Sequence, residues 1–326
     1  MSISKILVYL LALVALIFEG FFGVIPFLSF ISEVIITSVG ILLLVSIFRR
    51  SVFLTWKETL KKYILTIFAT FGFFTSIFLV FIGYQNAVPG VVSDIHLSYS
   101  GQSIVFVEMS HIATDRFFAE KKETITKLAQ DGYVILVEGV KPGTKENQEI
   151  FDRTIGFEFT PTLYKEVANL ILLQNQNNQV LFDQINTGSL VSVDLSVDDI
   201  VTFMGTGNMV GTGELVSIEG ELRTIMGTIN DRERSFVSWI ARGLLNWSLK
   251  QSADIDTLIT TGPQSKLFSA IIDRRNDKII EYIESNPKQK IAIVYGALHF
   301  NGVYEALQKK NAWNVVLTKS TAPYIK

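Results

Sequence analysis

The sequence contains no cysteine, and only three of its 326 residues are histidine. Without cysteine the chain has no disulfide, no thiolate metal site and no cysteine nucleophile. It also lacks an excess of either charge, since 29 basic residues face 31 acidic ones, and it has no basic stripe, so we expect no nucleic-acid partner. No serine stands in a Gly-x-Ser-x-Gly elbow, and a serine hydrolase therefore has no support.

Apolar residues are concentrated at the N-terminus. Residues 1–86 are almost entirely apolar, whereas residues 87–326 are polar and contain all three histidines. A helix that spans a bilayer needs about 20 mostly apolar residues. Three segments meet this requirement: residues 6–26, 30–48 and 63–84. We therefore predict an integral membrane protein with a three-helix transmembrane region, which makes the lipid bilayer its first partner.

Basic residues between the predicted spans indicate the orientation. Five lysines and arginines lie in the connector 49–62, whereas the connector 19–29 has none. Because basic connectors stay in the cytoplasm, we expect the region from about Ala87 onward to lie outside the cytoplasm, across the plasma or inner membrane. A cleaved signal peptide would begin in the same way as the first segment, but no small-x-small cleavage site follows it.

The polar region begins with a βα pattern. Residues 87–102 contain Pro, Gly and Ser and are predicted to form a linker, at most with a short edge strand. Residues 103–107 are typical of a buried strand, 115–130 of a helix and 133–137 of a second strand. Such a βαβ unit predicts that its two strands are parallel neighbours. The end of the chain repeats the pattern with a strand, a helix and a strand over 290–295, 301–310 and 313–318.

A helical insertion separates the two modules. It covers about residues 160–288, with helices predicted over 162–174, 196–204, 232–249 and 267–285. We therefore predict an α/β domain over residues 103–326, in which a mixed or mostly parallel sheet is flanked by helices and the insertion forms a cap or lid.

Polar side chains follow three of the predicted strands. Glu108 and His111 end the first strand, Glu138 ends the second, and His299 follows the third. Because ligands of open α/β sheets bind beyond the carboxyl ends of the strands, these side chains should converge if the strands are neighbours. Histidine and carboxylate ligands favour zinc, manganese, iron or cobalt over calcium. The alternative for each residue alone is an ordinary loop histidine or a solvated loop acid.

Two further sites have alternative interpretations. Arg275 and Asn276 lie in the predicted helix 267–285, where a guanidinium can clamp a carboxylate or stabilise an oxyanion. A solvated helix face would have the same pattern. Asp194 follows the apolar run LVSV and is either the cap of the next helix or an acid of the site.

Two segments of the chain resemble one family. The opening module of the TraB/PrgY/GumN family, which includes the Tiki Wnt-inactivating proteases, is similar to the segment HIATDRFFAEKKETITKLAQDGYVILVEGV. The closing module of the same family is similar to the segment RRNDKIIEYIESNPKQKIAIVYGALHFNGVYEALQKK. In that family Gly-x-x-His ends a strand, a helix follows, and the next strand ends in Glu. An Arg-Asn or Arg-Asp pair begins a later helix, and a second Gly-x-x-His opens the final βα unit.

The resemblance implies two metal ligands. His299 matches the second Gly-x-x-His, with Gly296 in place, and His111 matches the first. Glu108 stands where the family has the first glycine, and this carboxylate either adds a ligand or obstructs the substrate. The Tiki-like members are metalloproteases that use manganese or cobalt, while other members bind or inactivate peptide pheromones.

The resemblance also implies roles for three further residues. Glu138 matches the strand-end Glu and would be a ligand or a general base, while Arg275 and Asn276 match the helix-start pair. Arg275 would orient the substrate or stabilise the oxyanion. The chain is thus predicted to be a membrane-anchored, metal-dependent hydrolase of the peptidase type that uses Mn, Co or Zn. The alternative is a non-enzymatic membrane protein that binds or shields a peptide signal in the same cleft, and neither hypothesis fixes the oligomeric state.

Overall fold

The computed structural model describes residues 72–73, 75–160, 162–205, 217–259 and 265–325. The chain divides into two compact units, Met1–Phe81 and Ile82–Lys326. The sheet and the helices named below belong to the second unit.

The predicted spans 6–26 and 30–48 lie outside the described residues. Of the third predicted span, 63–84, residues 72–73 and 75–84 are described and are helical, and the helix continues to residue 87. Within the described part of the chain, no helix combines the length and the apolar character needed to cross a bilayer.

The strands of the described region form a mixed sheet. They are β1 (Val92–Tyr99), β2 (Gln102–Met109), β3 (Ile112–Ala113), β4 (Val134–Val137), β5 (Gln174–Asn175), β6 (Leu190–Val191), β7 (Ile291–Gly296) and β8 (Asn314–Thr321). Six of them pair in the order β6-β4-β7-β2-β1-β8, and β3 pairs with β5. The strands from β6 to β2 are parallel, while β1 is antiparallel to both of its neighbours. The predicted α/β class with a mixed sheet is confirmed.

Helices cover both faces of the sheet. They are α1 (Asp115–Gln130), α2 (Lys145–Ile155), α3 (Leu163–Leu170), α4 (Asn178–Leu181), α5 (Val197–Met204), α6 (Ile218–Thr228), α7 (Asp231–Ile259), α8 (Ser265–Ile271), α9 (Asp273–Ser285) and α10 (Phe300–Lys310). Helices α9 and α10 pack on one face, where Ile279 and Val303 meet Ile293 of β7. Helix α1 packs on the other face, where Phe117 meets Val294. Because β7 is buried on both faces, its sequence is a continuous apolar run.

The predicted linker 87–102 is wrong, because it contains a full strand of the sheet. β1 forms a hairpin with β2 through a two-residue turn, in which Ser100 and Gly101 have φ of 47° and 83°. Two consecutive positive φ values are typical of a type I′ turn, whose twist matches that of the flanking strands. The polar composition of this segment reflects the turn and a half-buried strand.

The predicted pairing of the first two parallel strands is also wrong. β2 and β4 are parallel, but β7 lies between them and pairs with both. The crossover through α1 therefore skips one strand position, which the C-terminal module fills. The skipped position brings the end of β7 between the ends of β2 and β4.

The insertion 160–288 differs from its prediction in two respects. It is mostly helical, but Leu190 and Val191 form β6 and extend the sheet beside β4. The predicted helix 267–285 is two helices, α8 and α9, which are separated by a turn at Ile272. The helix predicted over 196–204 is confirmed as α5, with Ser196 as its N-cap in a capping box.

Candidate functional site

The ends of four parallel strands meet at one edge of the sheet. His111 follows β2, Glu138 follows β4, Asp194 follows β6, and His299 follows β7 in a 3₁₀ turn over Ala297–His299. This edge is the position where open α/β sheets bind their ligands.

Glu138 lies at the centre of this cluster. Its Oε2 accepts a hydrogen bond of 2.6 Å from the Gly296 amide, and its Oε1 accepts one of 2.7 Å from Arg275 Nη2. Its side chain is only 9% exposed. Burial alone raises the pKa of this carboxyl, but the interaction with His299 and the charges of His111 and Arg275 outweigh burial and hold the pKa well below its usual range.

Arg275 is held by a second carboxylate. Its Nε and Nη2 donate to Asp194 Oδ1 and Oδ2 at 2.7 and 2.6 Å, which is a bidentate pair. Asp194 also accepts hydrogen bonds from the amides of Gly139 and Leu195. Arg275 is 5% exposed, so it lies behind Glu138 and fixes that carboxylate. Its Nε and Nη2 donors are engaged by Asp194 and Glu138, so Arg275 acts on the site through Glu138, and its predicted contact with a substrate or an oxyanion stays a prediction.

Asp194 is an acid of the site and does not cap α5, because Ser196 is the cap of that helix. Burial lowers the pKa of Arg275, but Asp194 and Glu138 outweigh burial and raise this pKa further above its usual value. The guanidinium therefore stays charged and ties the ends of β4, β6 and α9 together.

Asn276 determines which nitrogen of His299 is protonated. Its Oδ1 lies 2.7 Å from His299 Nδ1, and an amide oxygen only accepts hydrogen bonds, so the proton is on Nδ1. In the neutral form of this imidazole the Nε2 lone pair then faces the cluster. Asn276 fits because Gly302 has no side chain: a Cβ at Gly302 would lie 2.4 Å from Asn276 Nδ2. Asn276 thus acts through His299 and is a positioning residue.

Both imidazoles approach the same carboxylate oxygen. His299 Nε2 lies 3.7 Å from Glu138 Oε1, and His111 Nε2 lies 3.9 Å from it. The His299 side chain is 3% exposed and the His111 side chain 39% exposed, so solvent reaches the site from the His111 side. Tyr164 of α3 stacks on the His111 ring with 4.8 Å between ring centroids. Burial, followed by the charge of Glu138, raises the pKa of Tyr164.

The donor atoms of these three side chains are of the kinds that first-row transition metals prefer, and the two His–Glu distances are close to those between neighbouring ligands of one ion. Two imidazole nitrogens and one carboxylate oxygen are the donors such ions prefer. Tetrahedral ligands about 2.0–2.2 Å from an ion lie about 3.4 Å apart, slightly less than the observed separations. The hydrogen bond that the second ring nitrogen of His299, Nδ1, donates to Asn276 Oδ1 is of the kind that orients a metal-binding histidine. As they stand, no group of three or more His, Asp or Glu side chains in the described region is arranged so that it could hold a metal ion.

Glu108 is not part of this cluster. Its Oε2 accepts a hydrogen bond of 2.6 Å from the Ser93 amide of β1. The charges that act on it are those of Lys121 and Asp94, and neither imidazole is among them. The prediction of Glu108 as a metal ligand is therefore wrong. Spacing of three residues before His111 suggested proximity, but the strand directs this side chain toward β1.

Three residues of the site carried a weak signal in the sequence or none. Asp194 had one, because it follows an apolar run that is typical of a strand. Tyr164 had none, since its contact with His111 depends on how α3 packs. Gly302 had none either, because glycine in a helix does not reveal which side chain lies against it.

Comparison with models of protein families, with curated proteins and with solved structures finds no match to this chain. The site must therefore be interpreted from its own geometry and charge.

Proposed function

We propose that the α/β domain is a metal-dependent hydrolase of the peptidase type, anchored by the apolar N-terminal region to a membrane and acting on peptides outside the cytoplasm. The observation that carries the proposal is the approach of two imidazole nitrogens to the single carboxylate oxygen Glu138 Oε1. His111, His299 and Glu138 would hold the ion.

The charge of the cluster supports a bound cation. Glu138 and Asp194 contribute two carboxylates, and Arg275 contributes one guanidinium, which leaves one negative charge uncompensated when both imidazoles are neutral. In addition, the lone pair on His299 Nε2 faces a carboxylate oxygen, and this contact is repulsive unless a cation lies between the two atoms. Burial makes such an uncompensated charge costly, because water no longer screens it. A divalent ion, or a proton on an imidazole, would remove the repulsion.

The remaining residues would prepare the site for chemistry. A divalent ion held here would supply Lewis acidity, which polarises a peptide carbonyl toward attack by water. Arg275 and the Gly296 amide keep Glu138 ionised and fixed, and Asn276 keeps the lone pair of His299 Nε2 directed into the site. His111, at the exposed side, is where the substrate would enter.

Metal binding and peptide cleavage by the full chain test this proposal. Purified wild type, His299→Ala and Glu138→Gln would be titrated with Mn²⁺, Co²⁺ and Zn²⁺ and assayed on a mixture of unstructured peptides. His96→Ala is the matched control, because His96 lies in β1 and outside the cluster. We expect wild type and His96→Ala to bind one ion and to cleave, and the two site variants to bind at least 10-fold more weakly. Unchanged metal affinity and activity in both site variants would refute the mechanism.

A second function has one observation in its favour. Both oxygens of Glu138 already accept hydrogen bonds, from Gly296 and Arg275, so the cluster is also consistent with a metal-free site. Such a protein would bind or shield a peptide signal without cleaving it. The two functions differ in their response to EDTA. Peptide binding by the metal-free protein survives chelation, whereas cleavage by the hydrolase is lost and returns with added metal.

The membrane orientation has its own test, which uses the absence of cysteine. Lys288→Cys would place a single thiol on an exposed residue of the α/β domain. A membrane-impermeant maleimide added to intact cells or spheroplasts should label it. Labelling only after the membrane is permeabilised would contradict the extracytoplasmic location.

A further inference from the structure

An aromatic row extends outward from the exposed imidazole of the site. The Tyr164 ring stacks on His111 at 4.8 Å with 32° between the planes. Phe159 meets the edge of Tyr164 at 5.9 Å with 83° between the planes, and 40% of Phe159 is exposed. A single exposed phenylalanine is ordinary, but this one ends a continuous row that begins at a candidate ligand.

The row is held in place by polar contacts on both sides. The Phe159 amide donates to Asp152 Oδ1 of α2 at 3.2 Å, and Asp152 is buried. The hydroxyls of Thr160 and Thr162 donate to Glu219 Oε2 of α6 at 2.7 and 2.9 Å. These contacts hold Phe159, Thr160 and Thr162 in place, so a ligand would meet a preformed surface at Phe159 and little ordering entropy would be lost on binding.

Other apolar side chains are exposed at the same edge of the sheet. Val140 lies two residues after Glu138 and is 40% exposed, and Leu298 lies directly before His299 and is 42% exposed. In the 3₁₀ turn the chain buries His299 and turns Leu298 to solvent. The edge therefore combines buried charges with an apolar rim, the composition usual for a site that binds a small molecule or peptide.

We propose that the row of Tyr164 and Phe159 binds a large apolar side chain of the peptide, aromatic by preference, next to the bond at His111. This inference rests on the proposed function, since it names the substrate class of the same site. Neither Tyr164 nor Phe159 carries a charge, so an acidic side chain placed on these rings would lose hydration without gaining a partner. An aromatic side chain would bury apolar area and could also pair with the exposed ring of Phe159.

The test uses hexapeptides that are blocked at both ends and differ only at one central residue: Phe, Leu, Ala or Asp. Cleavage by the full chain with Mn²⁺ gives kcat/KM for each. Fluorescein-labelled copies give Kd by anisotropy. The variants are Phe159→Ser and, as a matched control, Phe236→Ser, which removes an equally bulky exposed ring from α7.

We expect the Phe peptide to exceed the Ala peptide by about 10- to 30-fold in wild type and in Phe236→Ser, and the Asp peptide to be the poorest. In Phe159→Ser the Phe-to-Ala ratio should fall to about 3 or less. An equal ratio in Phe159→Ser and wild type, or no preference in wild type, would overturn the inference.

Because cleavage and binding are measured separately, the experiment distinguishes failure of this inference from failure of the proposed function. If no peptide is cleaved but the Phe peptide binds more tightly than the Ala peptide, and only Phe159→Ser loses this difference, the aromatic row stands and hydrolysis fails. If peptides are cleaved without regard to the central residue, hydrolysis stands and the aromatic row fails.

Discussion

Two buried clusters of charged side chains in this domain differ in whether their charges balance. Lys121 of α1 donates to Asp94 of β1 at 2.6 Å, and their side chains are 1% and 3% exposed. One positive and one negative charge balance each other there, while the neighbouring carboxyl of Glu108, whose pKa burial raises to about 7, keeps its proton. At the other cluster Arg275 faces two carboxylates, and two imidazoles direct nitrogens toward them. Below a pH of about 7 the charges of the first cluster balance, whereas the second has one uncompensated negative charge when both of its imidazoles are neutral.

The difference indicates which cluster is structural and which is functional. A balanced buried pair has nothing to offer a ligand, and its cost of desolvation is met within the fold. A buried cluster whose charges do not balance, and which solvent reaches on one side, is the arrangement found at sites that bind ions or substrates. Burial of the ion pairs alone would not have separated the two clusters, because the side chains of Lys121, Asp94, Arg275, Glu138 and Asp194 are all at most 9% exposed.

The largest expected effect on stability comes from removing the lysine of the balanced cluster. Lys121→Met leaves Asp94 buried without a partner, which should lower the free energy of unfolding by about 3–5 kcal/mol. Lys122→Met is the matched control, because Lys122 makes a partly exposed pair with Asp183, and its loss should cost about 1 kcal/mol or less. Urea denaturation of both variants checks this. Similar losses in the two variants would remove the distinction between a buried and a surface pair.

The next effect concerns pH, because the two clusters respond to it in opposite directions. Burial raises the pKa of Glu108, beside Lys121 and Asp94, to about 7. A carboxyl that binds its proton more tightly in the folded state destabilises that state as pH rises from about 4.5 to about 7. The difference is about 3 kcal/mol at most.

Glu108→Gln should therefore be more stable than wild type at pH 8 and about equal to it at pH 4. Glu123→Gln, at an exposed position of α1, should follow the wild-type profile. Glu138 behaves in the opposite way: its lowered pKa contributes stability that is present above the usual carboxyl pKa and is lost in acid. Thermal unfolding between pH 4 and pH 8 measures the Glu108 trend, and its extension to about pH 2 measures the Glu138 trend. A Glu108→Gln profile parallel to that of wild type would argue against the raised pKa.

A third change tests how Arg275 serves the open cluster. Arg275→Lys keeps the charge but loses the planar fork that joins Asp194 to Glu138. We expect metal affinity to fall about 10- to 100-fold, as when the partner of a ligand is removed. Arg274→Lys, at the exposed neighbouring residue, should change affinity less than 2-fold, which isothermal titration would resolve. An equal change in both variants would mean that Arg275 contributes only to packing.

The smallest effect concerns the glycine behind Asn276. Gly302→Ala places a Cβ 2.4 Å from Asn276 Nδ2, so the amide must shift and its bond to His299 Nδ1 weakens. We expect roughly 10-fold weaker metal binding, with a loss of about 1–3 kcal/mol in stability. Gly227→Ala is the control, because a Cβ there meets nothing within 4 Å and alanine is the better helix former. Metal affinity unchanged in Gly302→Ala would show that the tautomer of His299 does not depend on Asn276.

The sequence predicted β2, β4 and β7 and the convergence of His111, Glu138 and His299, because buried parallel strands are continuous apolar runs and their carboxyl ends share one edge. It did not predict that β7 lies between β2 and β4, since strand order depends on contacts between distant segments. The apolar alternation of β1 was short and its turn polar, so it resembled a linker. The sequence left Asp194 open between a helix cap and an acid of the site, because a single acid after a short strand fits both patterns.

The direct test of the central claim is a pulsed EPR spectrum of Mn²⁺ bound to the full chain, which detects coupling to imidazole nitrogen. The account predicts coupling to two imidazoles in wild type and to one in His299→Ala, with His96→Ala identical to wild type. Bound Mn²⁺ without nitrogen coupling, or no bound Mn²⁺, would contradict it.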